Sequence, residues 1–126
     1  MPQNLLVATS NLPQVLVSKF VENGETTQYT CPSGTAAQMS AARIATVTLC
    51  NTSATAVPVT VSVGKAGATV PVTAGRILSA YSLAAGDSIR LVELNGAMLG
   101  PGDVITASAT GTGSQVCLVI TGAVSS

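Results

Sequence analysis

The sequence predicts an all-β fold: a single antiparallel β-sandwich of jelly-roll type, with about seven or eight short strands. Three observations carry that expectation. Short runs alternate apolar with small polar residues at period two, as strands with one buried face do. Clusters of Gly, Asn, Ser and Pro separate these runs every ~8–15 residues. At 126 residues the chain suits one domain burying roughly two-thirds of its unfolded surface, and it is too short for two.

Residues 1–13 read as an extended N-terminal arm and residues 14–126 as the sandwich. Leu5, Leu6, Val7 and Leu12, with Val15 and Val17 beyond them, form an apolar series that could add a strand to a neighbouring subunit. The plainer reading makes 14–20 (QVLVSKF) the first strand of the domain itself. Asn23-Gly24, flanked by Glu22 and Glu25, is expected to form a hairpin turn with its charges in solvent. A strand over 27–31 follows. The Ala-rich stretch 34–45 admits a helical turn at 35–41, but a loop feeding the next strand is favoured.

Strict alternation over 43–50 (RIATVTLC) places Ile44, Thr46, Thr48 and Cys50 opposite Ala45, Val47 and Leu49. Asn51-Thr52-Ser53 formally matches a glycosylation acceptor, yet reads better as a turn. In 57–63 (VPVTVSV) the four valines share one face, and Pro58, which cannot donate to a ladder, marks an edge or a strand start. Strands are further expected over 77–83, 88–94, 103–109 and 115–121. Two similar corners punctuate this half: Ala-Ala-Gly86-Asp87 and Gly-Pro101-Gly102-Asp103. Gly reaches positive φ without a Cβ clash, and Asp bonds nearby N–H groups as the chain re-enters the sheet. Pro101 before Gly102 suits a type II turn.

Composition narrows the function. Charged residues are 8% of the chain, against about 25% in ordinary soluble domains, and the net charge is zero. Such a balance lacks the basic footprint of a nucleic-acid binder. Phe20, Tyr29 and Tyr81 are the only aromatics, too few to stack bases or sugars. Mean hydropathy is positive, yet no run approaches the ~20 apolar residues of a membrane span. With no basic leader before its short apolar block, the N-terminus does not read as a signal peptide, so synthesis in the cytosol, with retention there or assembly from there, is expected.

Chemistry finds little to work with. His is absent, so a nucleophilic Ser, Thr or Cys would have to rely on Lys19, Lys65, a carboxylate or the terminal amine. Cys31, Cys50 and Cys117 have neither CxxC spacing nor His partners for a metal, and read as buried free thiols. A Cys31–Cys117 or Cys50–Cys117 bridge stays open. Around the Gly-Asp corners there is no D-x-D run to supply calcium ligands, and the Gly-rich 111–115 lacks the lysine of a phosphate loop. No catalytic, cofactor or metal residue is expected. What stands out is the outward strand positions, filled by Thr, Ser, Ala, Val and Leu where Lys and Glu are usual. They form either a hydroxyl-coated surface or faces that meet other subunits, and the low charge favours the second.

Four segments, 26–40, 45–63, 77–91 and 98–122, follow one another in an order that resembles small all-β virion proteins of tailed bacteriophages. The matched features are Tyr29, Thr30, Pro32 and Gly34; a strand ending in Asn51, Thr52 and Ser53; and a late corner of Leu99, Gly102 and Asp103. Cys31 stands where an apolar residue is more usual. The resemblance implies a β-sandwich and a structural, non-enzymatic role. The foremost implied role is a capsid decoration protein that reinforces the phage head, assembled in the bacterial cytoplasm. A tail, baseplate or fibre-associated subunit is the alternative within the group. Partners would be the major capsid protein or other virion subunits and further copies of this chain, with no nucleic acid or membrane. From another class, a host-surface carbohydrate or receptor-binding module would need the exposed aromatics that this chain barely offers.

Overall fold

The computed structural model describes residues 13–34, 40–111 and 115–125. Among these residues nine strands form two antiparallel sheets. They are β1 (Gln14–Phe20), β2 (Thr26–Thr30), β3 (Ala41–Asn51), β4 (Val57–Gly64) and β5 (Arg76–Leu83), then β6 (Ser88–Arg90), β7 (Met98–Leu99), β8 (Val104–Ala109) and β9 (Val116–Ser125). The five-stranded sheet runs β1-β9-β3-β6, with β7 also paired to β3; the four-stranded sheet runs β2-β8-β4-β5.

With the two-residue β7 set aside, eight strands give the jelly-roll order. The chain behaves as one long antiparallel hairpin, with β4 and β5 at its tip and rungs β1·β9, β2·β8 and β3·β6. Rolling that hairpin adds the lateral ladders β3·β9 and β4·β8. The expected sandwich is therefore present, with the extra strand supplied by the short β7.

Alternating apolar positions fill the space between the sheets. Val116, Leu118 and Ile120 of β9 face Val57, Val59 and Val61 of β4 across a core of aliphatic side chains. Pro58 lies one residue inside β4, an interior strand, so of the two readings its strand-start role holds.

Three expectations need correction. In β3 the buried set is Ala42, Ile44, Val47 and Leu49, because a bulge between Ile44 and Thr46 slips the pairing with β9 by one residue. That slip returns Ile44 and Val47 to one face. The strand expected over 88–94 ends at Arg90; Val92–Leu94 is a 3-10 turn that buries Leu91 and Leu94 together. Their spacing of three suits that turn and cannot share a strand face. Asn23-Gly24 is a bend that carries the chain from one sheet to the other, since β1 and β2 pair with β9 and β8 and not with each other.

Edges are blunted throughout. β1, β2 and β5 each carry a bulge or register shift, while β6 and β7 are very short. Irregular or short edges resist pairing with foreign strands.

At the β3 bulge the backbones close tightly: a Cβ on Gly122 would stand 2.2 Å from the Arg43 carbonyl oxygen. Gly122→Ala is expected to lower stability by about 2 kcal/mol or more in urea unfolding. Gly24→Ala, where nothing lies within 4 Å of the new methyl, should leave the midpoint nearly unchanged.

Candidate functional site

Both Gly-Asp motifs are corners at which the chain changes sheet. In the first, the Asp87 N–H donates to the Ala84 carbonyl at 3.0 Å and Gly86 sits at φ 71°. In the second, the Asp103 N–H donates to the Gly100 carbonyl at 3.1 Å with Gly102 at φ 80°, following Pro101 as a type II turn requires. Their carboxylates are spent on backbone. Asp87 accepts from the Ser88 N–H at 2.9 Å. Asp103 accepts from Gly100 at 2.8 Å and, across the fold, from Ala66 at 3.1 Å.

Asn51 closes the end of β3. Its Nδ2 donates to the Thr55 and Leu83 carbonyls at 2.8 and 2.9 Å, and its Oδ1 accepts from the Ser53 N–H and hydroxyl at 2.9 and 2.7 Å. With the side chain fully buried and every donor used, the turn reading of Asn51-Thr52-Ser53 is the one the geometry supports. Asn23 accepts from the Gly111 N–H at 3.1 Å.

Glu25 departs from expectation. It is not a solvated turn charge, since its side chain is only 8% exposed. Oε1 pairs with Arg76 Nη1 at 2.5 Å; Oε2 accepts from the Val72 N–H and the Thr106 hydroxyl, each at 2.8 Å. Arg76 Nη1 also donates to the buried Ser62 hydroxyl at 2.7 Å. These contacts clamp the 65–75 strap over the outer face of the four-stranded sheet. Burial alone would raise the Glu25 pKa, but the Val72 N–H, Arg76 and Thr106 together outweigh it and hold it below the ordinary value. Sequence spacing gave no sign of this, because the partners lie 47 to 81 residues away.

All three cysteines are free. Cys31 is buried, its sulfur 3.6 Å from the Leu99 carbonyl. Burial first, then the Asp103 charge, pushes its thiol pKa up against a backbone hydrogen bond at Ala42. Cys50 and Cys117 are half-buried register partners on β3 and β9, a correction to the expectation of buried thiols.

The outer face of the five-stranded sheet is the remaining feature of note. Reading its register outward, Phe20, Cys117, Cys50 and Ser88 form one row across four strands, and Ser18, Val119, Thr48 and Arg90 the next. Farther along, Val15, Thr121 and Thr46 are followed by Ala123, Arg43 and Met98. Val15, Phe20 and Met98 are 58%, 45% and 67% exposed. An open groove of about 540 Å³ lies at this end, lined by Pro13, Ala41, Ala45, Met98 and Ala123 among others.

Of the proposed arm residues, Val17 is in the core and Val15 on this outer face, both within β1. Leu5, Leu6, Val7 and Leu12 lie outside the described residues. Among the described residues no cluster of three or more His, Cys, Asp or Glu is placed to hold a metal ion, and no helix is long and apolar enough to cross a membrane. Comparisons with protein families, curated proteins and solved structures find no match to this chain.

The Glu25 clamp has a definite pH signature. Because its folded pKa is depressed, the clamp's stabilisation is complete above the unfolded glutamate value of about 4.3 and is lost as pH falls through the lower folded value. Urea midpoints measured from pH 7 downward should show this acid loss, and Glu25→Gln should flatten it. Arg76→Met, which leaves the carboxylate with neutral donors only, should cost about 3 kcal/mol at pH 7.

Proposed function

We propose that this chain is a non-enzymatic structural component of a tailed-phage virion, foremost a decoration protein that binds the outer surface of the head and reinforces it. One observation carries the reading: a jelly-roll sandwich whose outward strand positions hold hydroxyl, small and apolar side chains with very few charges. A surface so short of ionic groups has little to keep copies apart in free solution and gains from being covered. The resemblance of residues 26–122 to small virion proteins points the same way. Jelly rolls serve many unrelated purposes, so the surface, and not the fold, bears the argument.

Decoration works through number. Each copy makes a modest contact, and many copies on one lattice convert weak contacts into a durable coat. The partners are the major capsid protein or other virion subunits, together with sister copies. A tail or baseplate location would use the same surface physics at a lower copy number.

Purified particles from a host that makes this protein test the reading directly. Quantitative mass spectrometry should find the chain at tens of copies or more per particle, and imaging should place its density on the head exterior. Density confined to the tail would favour the alternative location, and absence from purified particles would remove the virion role.

A further inference from the structure

Charge on this molecule is distributed unevenly between its sheets. Three of the five basic residues, Lys19, Arg43 and Arg90, lie in strands of the five-stranded sheet, and none of its strands contains Asp or Glu. The four-stranded sheet has Arg76 alone, already paired with Glu25. All five carboxylates sit between strands, and Asp87, Asp103 and Glu25 are engaged there. Arg43 and Arg90 are exposed and form no ion pair among the described residues. Both project from the outer face that also presents Val15, Phe20 and Val119.

Building on the virion reading, we infer that the outer face of the five-stranded sheet is the docking face, and that its occupant is a protein surface of apolar character carrying two carboxylates that meet Arg43 and Arg90. Those cations stand on β3 and opposite Thr48, five positions apart along β3, so the carboxylates must be spaced by roughly 15 Å. A second copy of this chain applying the same face would bring cations together with no acid on the facing strands to answer them. Nucleic acid would meet isolated cations among apolar and hydroxyl groups instead of a continuous basic stripe. The blunted edges leave strand addition a poor route for any partner. At roughly 600 Å² from strand spacing and rise, the face falls below the ~800 Å² per partner of a stable isolated complex. That size suits a partner displayed in many copies.

Cys50 and Cys117 lie on the two central strands at one end of this face, one row from Arg90, and serve as built-in reporters. In purified virions carrying the protein, both should react with iodoacetamide at least ten-fold more slowly than in the released chain. R43E/R90E should keep its thermal unfolding temperature but bind particles stripped of the protein at least 30-fold more weakly, and R43K/R90K should bind nearly as the wild type does. Wild-type attachment should also weaken with added salt. Unprotected thiols on the particle, or full attachment of R43E/R90E, would overturn the inference while leaving the virion reading intact. Thiol protection in a dimer of the released chain would assign the face to a second copy and overturn the partner; so would protection abolished by nuclease, which would assign it to nucleic acid. Absence of the chain from virions would remove both readings.

Discussion

The whole molecule depends on β9. It pairs with β1 on one side and β3 on the other, joining segments separated by most of the chain. Without that strand the rolled hairpin has no closure: β1 and β3 lose their common neighbour, and Val116, Leu118 and Ile120 leave the core. Such ladders are almost entirely non-local, so their loop-closure entropy is met before any contact rewards it. The corners reduce that difficulty. Asn51, the two Gly-Asp turns and Asn23 fix where the chain changes sheet through directional hydrogen bonds. An aliphatic core is adhesive but weakly directional, and these bonds supply the missing direction.

The strands and corners were legible because their causes are local. Val57 to Val61 alternates as a half-buried strand must, and Pro101-Gly102 carries its own turn chemistry. What escaped has non-local causes. A one-residue bulge at Ala45 leaves no mark in composition yet reverses which residues of β3 face inward. Glu25 beside Asn23-Gly24 looks like any turn acid until Val72, Arg76 and Thr106 are brought around it. Leu91 and Leu94 imitate an alternating strand unless their spacing of three is weighed against a tight helical turn. For the candidate face, the scarcity of charge was visible in the sequence. The concentration of basic residues in one sheet emerged only once β1, β3 and β6 were known to be neighbours.

The two sheets solve their outward faces differently. On the four-stranded sheet, the 65–75 strap covers Ser62 and Thr106, and the only strand-borne cation is neutralised beneath it. That part of the surface is covered by the chain itself. No comparable strap crosses the five-stranded sheet among the described residues, and its small side chains, Thr and Ala above all, leave it flat enough for another sheet-like surface to approach. With its edges irregular, the fold withholds ladder pairing and offers a face instead.

Two arginines on such a face act on specificity more than on affinity. In water each guanidinium is fully hydrated and costs nothing to display. Covered by an apolar surface without acids, each would lose that hydration uncompensated, and the contact would fail. Covered by a surface with matching carboxylates, the pairs recover the loss and fix the angle of approach. Apolar and hydroxyl residues then provide area, while Arg43 and Arg90 reject wrong partners. On the proposed reading, attachment to a crowded, repetitive surface needs that division, because adhesion alone would hold the protein to any apolar patch, its own copies included.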